Sequence, residues 1–190
     1  PLFHDLLGYC HFNLEQWHAY LKVNERFAGV VANTALESDL VWVQDYQLIM
    51  VGAFLRKKGL RQTLGFFLHI PFPSVDLFWR LPWKMEVLEV LLNYDLIGFQ
   101  TTRDWRNFVN CVLTLVPGVE VKVRRRNYTI LTFDDRVVKA GHFPISIDYA
   151  GFNKGAQTQE VADEAMAIKR DYPDQTLVLG LDRLDYSKGI

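Results

Sequence analysis

The chain has 190 residues, of which 49% are hydrophobic and 23% charged, with a formal net charge of −1. This is the composition of a globular chain able to bury a core, with no overall charge bias toward nucleic acid or an anionic membrane surface. Its longest apolar runs have strand length, so no membrane span is expected.

Cys10 and Cys111 lie far apart without metal-ligand spacing, a pattern expected of reduced thiols in a cytoplasmic protein. Arg124-Arg125-Arg126 is the one dense basic run and reads as a solvated turn between short strands. The opening at Pro1 carries no initiator Met and no signal-peptide pattern, so the chain reads as part of a longer one.

Strand-length apolar runs alternate with segments of helical period, which predicts an α/β fold with a mostly parallel sheet. Asn13 to about Val31 reads as a helix capped by Asn13, with Leu14, Trp17, Leu21, Ala28 and Val31 along one face. Leu40–Val43 is a short buried strand. Gln47 to about Lys58 follows as a helix ended by Gly59. Leu64 to Ile70 is the next strand, stopped by Pro71-Phe72-Pro73 because proline cannot continue a central ladder. A helix with Pro82 in its first turn runs to about Asn93. Asp95–Phe99 is a third strand, followed by a helix over Thr102–Leu115. Val119 to Ala140 reads as short β segments and turns, and Gly141 to Asp148 as a further strand. The composition then becomes polar and glycine-containing, which sets an expected domain boundary between residues 1–147 and 148–190. A helix over Gln159–Asp171 and a strand over Gln175–Leu181 complete the pattern.

Each early strand ends in a polar cluster: Gln44-Asp45-Tyr46-Gln47, His69-Ile70-Pro71-Phe72-Pro73 and Gln100-Thr101-Thr102. In a parallel sheet these clusters share the carboxyl edge, where open α/β sheets bind ligands. Asp45 can cap the following helix or accept hydrogen bonds from sugar hydroxyls. His69 can be a hydrogen-bonded core residue or a site residue beside a rigid turn. Arg183 and Lys188 follow the last apolar run; they are solvated loop cations or a pair suited to a diphosphate. No dinucleotide fingerprint, Walker A pattern, zinc motif or nucleophile elbow is present.

Several strings together resemble the trehalose-6-phosphate synthases, glycosyltransferases of the GT-B fold. They are Val41-Trp42-Val43-Gln44-Asp45-Tyr46-Gln47-Leu48, Gly65-Phe66-Phe67-Leu68-His69-Ile70-Pro71-Phe72-Pro73-Ser74, Tyr94 to Thr101, Phe143 to Asp148, and Asp182-Arg183-Leu184-Asp185-Tyr186-Ser187-Lys188-Gly189. The resemblance implies a Rossmann-like acceptor-side domain over residues 1–147, and a crossing segment with the start of a second, donor-binding Rossmann-like domain over 148–190. It implies retaining transfer of glucose from UDP-glucose to glucose 6-phosphate. Asp45 would bind acceptor hydroxyls, His69 would contact the donor sugar at the reaction centre, and Ile70 would shape anomer selectivity. Arg183 and Lys188 would bind the donor diphosphate and stabilise the leaving group. No metal and no resident cofactor are implied, and the partners are the two small-molecule substrates; a homo-oligomer is left open.

Family members generally carry histidines where this chain has Gln44 and Gln47, a departure that bears on acceptor recognition. Two alternatives follow: a related synthase with another phosphorylated acceptor, such as the glucosylglycerol-phosphate synthases, and a non-catalytic regulatory family member. The acidic donor-binding motif of the second domain is not in this stretch, so the chain alone is expected to be inactive.

Overall fold

Leu64-Gly65-Phe66-Phe67-Leu68 is apolar on both faces, which suits a strand covered on both sides. In the computed structural model, which describes residues 1–185, all five are buried and form β2 (Leu64–Leu68) inside a six-stranded sheet. β1 (Val41–Gln44) flanks it on one side and β3 (Leu96–Phe99) on the other, both parallel to it. β6 (Arg136–His142) is parallel to β3. β5 (Tyr128–Phe133) and β4 (Glu120–Arg124) then add antiparallel, giving the order β1-β2-β3-β6-β5-β4. The fold is thus α/β with a mostly parallel sheet, as the alternating pattern implied.

Helices α1 (Leu14–Thr34), α2 (Val51–Lys57), α3 (Val75–Phe78), α4 (Lys84–Leu91) and α5 (Thr102–Leu115) pack with the sheet around one apolar core. Asn13 caps α1, its Oδ1 accepting the Glu15 and Gln16 N–H groups. Thr101 caps α5 through the Asp104 N–H. Both caps satisfy donors that a helix start leaves without internal partners.

Asp95 ties the amino ends of the parallel strands together. Its carboxylate takes Arg56 at 2.7 Å and Arg136 at 2.8 Å, and accepts the Leu64 N–H that opens β2. Tyr94 is buried beside it; its hydroxyl accepts from the Gly52 N–H and donates to the Ile49 carbonyl. A Cβ on Gly52 would stand 2.5 Å from the Tyr94 ring, so this contact between α2 and the turn before β3 needs glycine.

Four expectations are corrected. The helix expected over Gln47–Lys58 is two pieces, a 3-10 turn at Tyr46–Leu48 and α2. The buried Asn24 side chain causes the break: its Nδ2 donates to the Gln47 carbonyl and its Oδ1 accepts the Met50 N–H, diverting both from a continuous helical ladder. The strand expected over Gly141–Asp148 is shifted: β6 ends at His142, the Phe143 N–H makes a last bond to the Phe99 carbonyl, and Pro144 offers no N–H to continue. Pro82 stands two residues ahead of α4 and not in its first turn, and the short α3 precedes it. The apolar run Gln175–Leu181 forms no strand; its residues are exposed, and no strand of Ile145–Asp185 is there to pair with it.

The chain divides by internal contacts into Pro1–Pro144 and Ile145–Ile190. The second unit contains α6 (Tyr149–Ala156), capped by Asp148, and α7 (Gln159–Asp171), capped by Thr158. Among the described residues no helix is long and apolar enough to cross a membrane.

Candidate active site at the carboxyl edge of the sheet

Because β1, β2, β3 and β6 run parallel, Gln44, Leu68, Phe99 and His142 end at one edge of the sheet. Asp45 and His69 follow the first two strands directly. Adjacent strands lie about 4.8 Å apart, so the two clusters are neighbours.

Asp45 leaves β1 with φ 65° and ψ 171°, a sparsely populated backbone conformation that costs a non-glycine residue about 1–3 kcal/mol and is held by the surrounding contacts. The Asp45 N–H still bonds to the Phe67 carbonyl at 2.8 Å, holding the turn to β2. Its Oδ1 accepts the N–H of Tyr46 at 3.0 Å and that of His69 at 3.3 Å. The capping reading of Asp45 is therefore correct for the 3-10 turn, and it occupies one oxygen. Among the described residues no hydrogen bond reaches Oδ2, which leaves an acceptor for a ligand hydroxyl.

His69 is exposed, which removes the reading of a core histidine. Its Nε2 lies 2.7 Å from Gln44 Oε1; with the amide oxygen facing the ring, Nε2 donates. The imidazole also rests against the Phe67 ring, with centroids 4.8 Å apart. Phe67 in turn covers Gly98, where a Cβ would stand 2.5 Å from Phe67 Cδ2 and 3.3 Å from Phe143 Cδ2. Gly98 thus permits the aromatic layer that supports the histidine.

The turn after His69 is bolted to α5. The Phe72 N–H donates to Asp104 Oδ1 at 3.2 Å, and the Asn107 Nδ2 donates to the Phe72 carbonyl at 2.8 Å. Asp104 is buried and also takes the Thr101 hydroxyl at 2.6 Å. The Phe72 ring is enclosed by Phe3, Phe78, Phe99 and Phe108. With both backbone groups of Phe72 held and its ring buried, Ile70 and His69 leave β2 from a fixed base. Among the described residues every peptide bond is trans.

Asp45, His69 and half-buried Ile70 thus share one edge. Gln47 is exposed at the adjoining turn. Arg183 belongs to the unit Ile145–Ile190, where it is exposed and its N–H meets Asp182 Oδ1 at 2.8 Å. Lys188 lies outside the described residues. The supporting residues Asn24, Asp104 and Asn107 gave no signal in the sequence beyond being polar residues within helices.

The profile of glycosyltransferase family 20 matches residues 1–190. A trehalose-6-phosphate synthase of Mycolicibacterium gilvum is 43% identical over 195 aligned residues, covering 100% of this chain and 39% of the relative. The crystal structure of an alpha,alpha-trehalose-phosphate synthase (UDP-forming) from Burkholderia xenovorans, in complex with glucose 6-phosphate, superposes with a TM-score of 0.87 at 30% identity, covering 100% of this chain and 41% of that one. The E. coli protein bound with UDP-2-fluoro glucose gives 0.76 at 32% identity, covering 89% and 37%. The chain therefore spans about two fifths of the length of the relatives it matches. With the profile matched from end to end, the chain belongs to glycosyltransferase family 20.

Proposed function

We propose that the full-length protein transfers glucose from UDP-glucose to glucose 6-phosphate, giving α,α-trehalose 6-phosphate with retention at the anomeric carbon. The observation that carries this reading is the joined edge of Asp45 and His69, one oxygen of Asp45 fixing the His69 backbone and the other left open. The 43% identity to a trehalose-6-phosphate synthase and the superposition on a relative holding glucose 6-phosphate support the choice of substrates.

In this reading Asp45 Oδ2 accepts from acceptor hydroxyls, and the His69 imidazole meets the donor sugar. Ile70 limits the orientations the sugar can take. Arg183 and Lys188 bind the donor diphosphate, where two cations oppose the charge that grows as UDP leaves. The bond from the sugar's anomeric carbon to the diphosphate breaks while a bond to the acceptor oxygen forms on the same face, with no enzyme nucleophile, and the acceptor's hydroxyl proton passes to the departing diphosphate. The nucleotide sugar is a substrate, so the reading calls for no resident cofactor or metal. Free thiols at Cys10 and Cys111 support a cytoplasmic setting.

A second reading, a different phosphorylated acceptor, is favoured by the Gln44–His69 contact of 2.7 Å, where family members generally carry histidine at position 44. UDP release by the full-length protein decides between them. Faster release with glucose 6-phosphate than with glycerol 3-phosphate is expected. The opposite order selects the second reading, and no turnover with any phosphorylated acceptor in a folded, UDP-binding protein rejects both.

A further inference from the structure

Arg124 at the end of β4 and Arg125 and Arg126 after it are exposed, as expected of a solvated turn, and they also line a cavity. A cavity of about 390 Å³ lies between α5 and the β4–β5 hairpin, and Arg106, Arg124, Arg125, Arg126, Trp105 and Thr129 line it. No carboxylate is among its lining residues. Among the described residues, none of the four arginines is in an ion pair. In a chain of net charge −1, four guanidinium groups on one cavity are a local arrangement and not a consequence of general basicity.

The inner wall adds a second, independent observation. Trp105 and Thr129 are 4% and 1% exposed, and Trp105 Nε1 and Thr129 Oγ1 are buried polar atoms with no hydrogen-bond partner. Leaving such an atom unpaired costs about 1–3 kcal/mol, and the indole nitrogen can only donate. Both residues line the cavity, while these two atoms themselves are closed to solvent.

The elements also place the cavity. The Asn127 carbonyl accepts the His142 N–H, so the hairpin turn sits at the same sheet edge as the strand ends. In the strand order, β5 and β4 stand three and four positions from β2. At about 4.8 Å per strand, the cavity is roughly 14–19 Å to the side of His69.

We infer that this cavity is a second anion site that takes a small phosphomonoester, separate from the proposed transfer site. Guanidinium groups match phosphate oxygens bidentately, and the volume is within the range of small-molecule pockets. Three consecutive arginines at a hairpin turn and Arg106 on α5 supply the donors.

The test is calorimetric titration of the full-length protein with inorganic phosphate, ribose 5-phosphate and ribose at constant ionic strength. Binding of ribose 5-phosphate without ribose binding is expected; saturation by inorganic phosphate alone assigns the site to the free ion and overturns the monoester. The double variant Arg124→Ala/Arg126→Ala alters only exposed side chains and should weaken ribose 5-phosphate binding at least about tenfold. Arg106→Ala, on the α5 side of the cavity, should weaken it several-fold; unchanged binding in both arginine variants would overturn the inference. Asp45→Ala should leave this binding unchanged. Loss of binding in Asp45→Ala with retention in the arginine variant would put the ligand at the transfer edge and overturn the inference. Binding of a single-stranded oligonucleotide but of neither small phosphate would overturn it as well.

Discussion

Gln44 Oε1 and His69 Nε2 lie 2.7 Å apart across the ends of β1 and β2, so the first strand sets the ring orientation of a residue on the second. Removing the amide leaves the imidazole with the Phe67 ring contact and the backbone bond to Asp45. In the full-length protein, Gln44→Ala is expected to lower turnover about tenfold with UDP affinity unchanged. Gln44→His, which keeps a ring nitrogen in reach, should retain most of the activity. Steady-state kinetics beside UDP titration of the same samples checks both.

Asn24 is fully buried and serves the carbonyls of Tyr20 and Gln47 and the Met50 N–H. Asn24→Ala strands at least two of these backbone groups away from water, so a loss of roughly 2–4 kcal/mol is expected. Urea unfolding of the full-length protein measures it. The same change frees the turn that follows Asp45, so the Michaelis constant for the acceptor should rise as well.

The visible and hidden parts of this fold separate on physical grounds. Leu64–Leu68 and Thr102–Leu115 were legible because a run apolar on both faces and a strongly one-sided helix each carry their burial in local sequence. The shared edge of Asp45 and His69 was legible because parallel strands place their ends together. The break between Leu48 and Val51 was not, since Asn24, more than twenty residues away, makes it. Ile145 and Ile147 imitate strand alternation, yet both are exposed, and Pro144 ends the ladder before them. The Gln175–Leu181 run has strand composition, but among the described residues 145–185 there is no strand beside it. Arg124–Arg126 reads as surface charge until α5 brings Trp105 beneath it.

Cys111 is fully buried, and burial pushes its thiol from 9.0 up to about 12. Between those values the native state keeps a proton that the unfolded chain releases. Stability therefore falls as pH rises through that window. Burial moves the Tyr20 and Tyr94 hydroxyls upward too, which adds to the alkaline loss. Denaturation midpoints of the full-length protein should drop steadily above about pH 9. At about pH 8 iodoacetamide should modify Cys10 and spare Cys111 until the protein unfolds; equal labelling of both native thiols would contradict the burial of Cys111.

Arg183 is assigned to the donor diphosphate, where its guanidinium would meet phosphate oxygens. Arg183→Ala in the full-length protein should weaken UDP binding by about tenfold or more and slow transfer with it. Arg183→Lys should recover only part of the loss, because a point charge replaces a planar fork. Unchanged UDP affinity in the alanine variant would remove Arg183 from this role.

The central claim is that the Asp45–His69 edge acts on the sugar and not on the nucleotide. The most direct measurement is His69→Ala in the full-length protein, with UDP affinity and glucosyl transfer determined on the same preparation. Transfer should fall by about a hundredfold or more while UDP affinity stays within about twofold. Transfer at the unaltered rate, or a loss that resides in UDP affinity alone, would contradict the placement of His69 at the reacting sugar.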